Sequence, residues 1–166
     1  MRGSGIGIVL MMAGCILAAG CAGYLAEKTN TPIHTPQSGS SILSSGNDPS
    51  SLVRPWYVKV LIIGGSPKVP VQLTGIQLTF HTNGSFSGFD SCNPYTGRWK
   101  ADEKHITISR IESPMVWCNE PPGVMEQESA YFTLLNNASF YVMNGEDMAL
   151  SDTTGKNGLI FKQVFF

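Results

Sequence analysis

Residues 83–99, N-G-S-F-S-G-F-D-S-C-N-P-Y-T-G-R-W, limit the folds open to this chain more than any other stretch. Glycine, asparagine and proline interleave there with two phenylalanines, a tyrosine and a tryptophan, and charge is nearly absent. A helix does not tolerate that glycine and proline content, and a disordered segment lacks such aromatics. The pattern predicts two β-turns with a half-buried strand between them, ending in an ordered loop at Cys92-Asn93. Just upstream, Ile76, Leu78 and Phe80 alternate with Gln77, Thr79 and His81, the period of a strand with one buried face. Asn83-Gly84 then predicts a type I′ hairpin turn, in which both central residues need positive φ.

The flanking segments extend this β pattern. Residues 56–63 (W-Y-V-K-V-L-I-I) read as a strand whose apolar second half is expected to be buried on both faces. Gly64-Gly65-Ser66-Pro67 ends it, and residues 69–73 read as a short edge strand interrupted by Pro70. A second hairpin runs from 97–100 to 105–110, with Ile106 and Ile108 on one face. Residues 111–118 read as strand passing into loop. Glu120-Pro121-Pro122-Gly123 stops any strand and precedes a helix over 124–136, where Glu128, Tyr131, Phe132 and Leu135 share a stripe. Strands at 138–143, 148–151 and 159–164 follow, joined at Asn144-Gly145 and Thr154-Gly155. The fold class is mainly β (α+β): a small antiparallel, barrel-like sheet of about eight short strands, with one helix inserted late.

At 166 residues the chain has room for one domain and little more. The formal net charge is −1 and charged residues make up 14%, which leaves no basic field for nucleic acid. Residues 1–26 differ from the rest. Arg2 is the only charge before Glu27, an apolar run follows it, and Ala18-Ala19-Gly20 leads into Cys21. This has the form of a secretory signal and resembles a prokaryotic lipoprotein signal, with Cys21 lipidated. Cys15 is the alternative acceptor, and an uncleaved anchor or plain secretion remain open. Each places the body outside the cytoplasm and, by the first two routes, on a membrane. Residues 27–55, rich in Ser, Thr, Pro and Asn, read as a flexible tether, and 56–166 as the folded domain.

Two cysteines fall in that domain. Outside the cytoplasm Cys92 and Cys118 are expected to pair, closing a loop of about 26 residues worth about 3.5 kcal/mol. A redox or metal-binding pair and two free buried thiols are the alternatives. No C-x-x-C is present, and His34, His81 and His105 are too separated in sequence to point to a metal, so neither metal nor cofactor is expected. Asn93, before Pro94, is expected to bond neighbouring amides and favour a turn. Trp56, Trp99 and Trp117 are read as packing residues; an exposed Trp117 beside Cys118 and Tyr95 would instead mark an interaction site. Ser91 lies in G-F-D-S-C, which lacks the G-x-S-x-G spacing of a nucleophile elbow, and no catalytic residue is assigned. Asn83 and Asn137 open N-x-S sequences of the glycosylation type, which turn geometry explains equally well.

The order of these segments is similar to the META/HslJ-like domain family. In that family an S-G turn is followed by G-C-N, an aromatic residue and a glycine, as in F-S-G-F-D-S-C-N-P-Y-T-G-R-W. S-P-M-V-W-C, ending at Cys118, resembles its T-x-M-A-C segment. The helix G-V-M-E-Q-E-S-A-Y-F-T-L-L and the L-x-D-x-x-G turn at 150–155 follow in the same order. The resemblance covers about residues 53–165. Ser91 stands where the family has Gly, and Pro114 or Ser113 where it has Thr. The resemblance implies a small β-rich barrel with a helix, and envelope lipoproteins linked to stress or antibiotic tolerance without established catalysis. Gly88, Cys92, Asn93, Tyr95, Gly97, Trp99, Met115 and Trp117 are the matching positions and the candidate binding surface.

The expected function is therefore a non-catalytic binding or stress-protection module, tethered to the membrane by an N-terminal lipid or anchor. Its partner would be an envelope protein or a small apolar ligand. A thiol-based redox or hydrolytic enzyme acting through Cys92 or Ser91 is the rival reading, and a structural spacer in an envelope assembly is the third.

Overall fold

The computed structural model describes residues 48–114 and 116–165. The lipidation candidates Cys15 and Cys21, His34, most of the tether and Met115 lie outside the described residues. The folded body reaches further upstream than residue 56. Asp48 caps a 3-10 turn, Pro49–Leu52, by accepting from Ser50 N (2.9 Å). Leu52 is buried in the core, and its carbonyl accepts from the Trp56 indole at 2.9 Å. The segment expected to be tether through residue 55 thus includes a core residue.

Among the described residues nine strands follow: β1 Pro55–Ile63, β2 Ser66–Lys68, β3 Gln77–Phe80, β4 Ser85–Phe89, β5 Pro94–Ala101, β6 Ile106–Glu112, β7 Phe140–Asn144, β8 Asp147–Ser151 and β9 Gly158–Gln163. The helix α1, Val124–Asn136, lies between β6 and β7 in the chain. All named strand pairs are antiparallel, in the order β6-β5-β4-β3-β1-β9-β8-β7, with β2 attached to β1. The sheet curls until its two end strands meet at one corner. There His105 bridges Phe140, Ile106 N donates to Ser139 O (3.0 Å) and Tyr141 N to Lys104 O (3.1 Å). The helix packs on β6 and β9, as a lid over the part of the curl that strand pairing leaves open. The expectation of a small antiparallel, barrel-like sheet with one late helix is met.

The core sits inside the curl. Trp56 and Val58 of β1, Leu78 and Phe80 of β3 and Phe86 of β4 meet Tyr131 and Leu135 of α1 in one buried cluster. A run of ring contacts links hairpin to helix: Trp99 to Phe80, Phe80 to Phe86, Phe86 to Tyr95, and Tyr95 to both Tyr131 and Phe132. Offset and edge-to-face aromatic pairs of this kind add to the stabilisation from burial.

Three local expectations are corrected. β1 alternates in its first half, with Trp56 and Val58 buried and Tyr57 and Lys59 facing water. In its apolar second half Leu61 is buried while Val60, Ile62 and Ile63 are half-buried, so the two-face burial expected there is partial. A bulge between Val58 and Val60 shifts the alternation so that Leu61 points inward. Residues 69–73 form no strand. Instead β1 reverses directly through Gly64-Gly65, both at positive φ (58° and 82°), so β2 pairs as Ser66–Lys68, and Val69 and Leu73 are left exposed. The hairpin at Asn83-Gly84 is present but is not type I′, because only Gly84 has positive φ (74°). Gly84 N donates to His81 O (3.1 Å) and His81 N to Ser85 O (2.9 Å), the three-residue loop in which a left-handed glycine forms the bulge. Asn83 braces it by accepting from Ser85 N at 3.0 Å.

Candidate functional site

Two glycines explain why the predicted signature folds as it does. The ring of Tyr95 and the Gln77 carbonyl lie where a side chain on Gly88 would stand, and the Phe86 ring occupies that place over Gly97. Both glycines are therefore seats for aromatic rings. Tyr95 is buried; its hydroxyl donates to Gln77 O at 2.7 Å and shares a hydrogen bond with the Tyr131 hydroxyl. Burial, first, and the neighbouring Tyr131 raise the Tyr95 pKa well above its ordinary value. Tyr131 is also raised, chiefly by burial. Neither phenol is poised to ionise. Trp99 is half-buried, with its indole N–H directed at the carbonyls of Ser85 (2.9 Å) and His81 (3.2 Å).

Beyond β4 the chain turns through residues 90–93 around the Asp90 carboxylate. Asp90 Oδ1 accepts from Cys92 N (2.8 Å) and Asn93 N (2.7 Å), and Asp90 N donates to Asn93 O (3.0 Å). Ser91 takes φ +93°, a conformation that favours glycine, although it carries a side chain. Asn93, expected to serve its own turn, reaches across the fold instead. Its Nδ2 donates to Val116 O (2.9 Å) and its Oδ1 accepts from Val116 N (3.0 Å). The disulfide Cys92–Cys118, with Cα atoms 6.0 Å apart, fastens the same two segments.

Under this knot lie charged and polar groups that are seldom found buried. Asp90, Asn93, Gln127 and Glu128 are all buried. Asn93 Nδ2 also approaches Glu128 Oε2 at 3.3 Å. Gln127 ties two loops to the helix: its Oε1 accepts from Val71 N (2.6 Å), and its Nε2 donates to Thr74 Oγ1 (3.1 Å) and Ser91 Oγ (3.2 Å). Asp90 Oδ2 has no hydrogen-bond partner among the described residues. Burial, reinforced by the charge of Asp90, raises the Glu128 pKa above its ordinary 4.5 and so favours the neutral acid. Glu128 was read as part of the helix's inward stripe, but its polar role was missed. A carboxylate at i with Tyr131 at i+3 is the signal that marks it.

Among the described residues the knot does not assemble a nucleophile with a base. His81 Nε2 lies 2.9 Å from Ser87 Oγ, and His105 Nδ1 is 3.2 Å from Asp102 Oδ1. Both are remote in the hydrogen-bond network from Ser91, whose hydroxyl is held by Gln127. No group of three or more His, Cys, Asp or Glu suited to a metal occurs among the described residues.

What reaches the surface is the loop beyond the knot. Trp117 is 71% exposed and Val116 60%, and the Trp117 indole N–H donates to Asn119 Oδ1 at 2.6 Å. A shallow hollow of about 300 Å³ is lined by Pro94, Tyr95, Thr96, Glu112, Ser113 and Pro114. The expectation that all three tryptophans pack is thus corrected. Trp56 is core, Trp99 is half-buried, and Trp117 projects because the disulfide and the Asn93–Val116 bonds fix both sides of its loop to the body. The candidate surface contracts in the same way, since Asn93 and Tyr95 are inside and Gly88 and Gly97 lie under rings.

A family model described as the META domain matches residues 50–164. The chain belongs to the META domain family. The match begins at the 3-10 turn before β1, in keeping with Leu52 as a core residue of the META fold. Three solved structures share that fold. An NMR structure of a protein from Burkholderia xenovorans is 20% identical, with a TM-score of 0.58, and the match covers 86% of this chain and all of that one. A crystal structure of a duf4847 family protein from Bacteroides vulgatus is 19% identical, with a TM-score of 0.52, covering 67% of this chain and 92% of the other. A further NMR structure is also 19% identical at a TM-score of 0.52, covering 70% and 94%. No curated protein matches the chain. In this META domain Gly88, Gly97, Tyr95 and Asn93 build the fold, the glycines under rings and the other two buried in hydrogen bonds.

Proposed function

We propose that this META domain is an extracytoplasmic module, tethered to the membrane through Cys21 or an N-terminal anchor, that binds and does not catalyse. The Trp117 loop is its contact point for an envelope protein. The exposed indole carries the reading. A large aromatic side chain held out on a loop fixed at both sides is pre-organised for burial in a partner's pocket, at little entropic cost. Tryptophan is also the residue type most often found at the energetic centre of an interface. Support for the address comes from the Arg2, apolar-run and Ala-Gly-Cys21 pattern of the leader, and from a disulfide, which persists in oxidising compartments. A role in envelope stress protection rests on the family resemblance.

The test is site-specific photo-crosslinking in living cells, with the crosslinker at position 117 and, as control, at the exposed Val142 of β7. A discrete protein adduct at 117 and none at 142 is expected. Equal labelling at both sites overturns the interface, and adducts with small molecules alone replace the protein partner with an apolar ligand. Fractionation of Cys21→Ser checks the lipid tether, which requires loss of lipid labelling from the variant.

A further inference from the structure

The outer face of β5 and β6 carries a concentration of positive charge that the Trp117 loop does not use. Arg98 and Lys100 of β5 face Ser109 and Thr107 of β6 across the strand pair. With Arg110, Trp99, Asn83 and Gly84 they line a hollow of about 510 Å³. Arg98 and Arg110 also line the adjoining hollow, together with Ser85, Thr96 and Glu112. The ion pairs among the described residues are Lys59–Asp147, Lys162–Glu146 and His105–Asp102. None involves Arg98, Lys100 or Arg110, and Glu112, which lines the adjoining hollow, is paired with neither arginine. In a chain of net charge −1, three cations around one concavity are a local excess.

The backbone is bent to bring the third of them there. Along β6, Ile106 and Ile108 point inward and Thr107 and Ser109 outward. Continued alternation would turn Arg110 into the core and Ile111 out. Instead the register with β5 slips between Thr96 and Arg98, and Arg110 adopts φ +53°. Ser109 and Arg110 are then exposed in succession, while Ile111 returns to pack on the core. Bulges commonly re-aim a side chain in this way. Glycine or asparagine is the residue that a bulge at positive φ ordinarily takes. An arginine kept in that conformation, beside Arg98 and above two hydroxyls, places two guanidinium forks on one hollow. Arginine forks match the oxygens of phosphate in paired hydrogen bonds, and threonine and serine hydroxyls add donors.

We propose that this hollow binds a phosphate-bearing anion, held by Arg98 and Arg110 with Lys100, Thr107 and Ser109 at its rim. The phosphate belongs either to a soluble ligand or to a lipid headgroup, and the two sources are separable. The full chain in neutral detergent is titrated calorimetrically with pyrophosphate and, separately, with a short-chain phosphatidylglycerol. Arg110→Gly is the variant of choice, because glycine accepts φ +53° and the bulge survives while the charge is lost. Roughly tenfold weaker binding is expected for Arg110→Gly and for Arg98→Gln, with Arg110→Lys intermediate because it keeps charge without the fork. Lys59→Gln, a cation elsewhere on the surface, leaves the affinity unchanged. Binding of pyrophosphate identifies a soluble phosphate ligand, and binding of the lipid alone a headgroup. No binding of either, or equal affinities for Arg110→Gly and Lys59→Gln, overturns the site.

Discussion

Asn93 and Val116 hold each other twice, the side-chain amide of one giving and taking a hydrogen bond with the backbone of the other (2.9 and 3.0 Å). The buried amide thus acts as a one-residue strand for a loop that has none. Asn93→Ala removes both bonds and leaves the Val116 groups unmatched, and is expected to cost about 3 kcal/mol. Urea unfolding measures the loss. Limited proteolysis should show earlier cleavage near Trp117 in the variant; unchanged cleavage would mean that the disulfide alone fixes the loop.

The Cys92–Cys118 bond closes a loop between residues 26 apart. Its removal in the Cys92→Ser, Cys118→Ser double variant is expected to lower stability by about 3.5 kcal/mol in the chain-entropy picture. Thiol titration of the unmodified protein should find the pair only after reductant and denaturant. A readily reduced, low-pKa thiol in the native protein would favour the redox rival instead.

Glu128 gives the fold a pH dependence of unusual sign. Its pKa is raised in the folded state, so the folded chain retains a proton that the unfolded chain releases near pH 4.5. Its contribution is fully present below that pH and is lost as pH rises through the folded value. Glu128→Gln, which keeps the shape and a neutral amide beside Asn93, should flatten this decline and raise the melting temperature at pH 7. A variant that melts lower at pH 7 would show that the ionised carboxylate is what the knot requires.

Ser91 carries a conformational cost. At φ +93° a side chain crowds its own backbone, and restoring the glycine relieves about 1 kcal/mol. Gln127 keeps its bonds to Val71 and Thr74 without the serine hydroxyl. Ser91→Gly should therefore stabilise the domain in thermal unfolding. Destabilisation would assign the Gln127–Ser91 bond a greater worth than the strain.

Much of the fold was legible because hairpins advertise themselves. The alternation at Ile76, Leu78 and Phe80, the glycine turns and the helix over 124–136 come from local chemistry. Turn type was less legible, since Asn83-Gly84 serves a type I′ turn and a bulged loop equally well and the flanking register decides. The sheet's bulges at Val58 and Arg110 carry no sequence signal, because an apolar run or a lone arginine is compatible with several registers. Trp117 was misread for a related reason: nothing in V-W-C tells which side of a pinned loop faces water. The roles of Gly88 and Gly97 emerged only with the rings of Tyr95 and Phe86 in place, since cross-strand neighbours are set by pairing and not by spacing.

The first strand of the domain pairs with its last. Arg54 and Gln163, 109 residues apart, join side chains, Arg54 Nη1 donating to Gln163 Oε1 at 2.7 Å, and β1 zips along the length of β9. The hairpins from β3 to β6 need only near neighbours and can assemble early, whereas one edge of β1 must wait for β9, which follows every other strand of the domain. Contacts of such long separation slow folding, because loop closure precedes any reward from pairing. A chain emerging N-terminus first from a ribosome therefore exposes an unpaired edge of β1 until β9 arrives. Loss of β9 would strand that edge open.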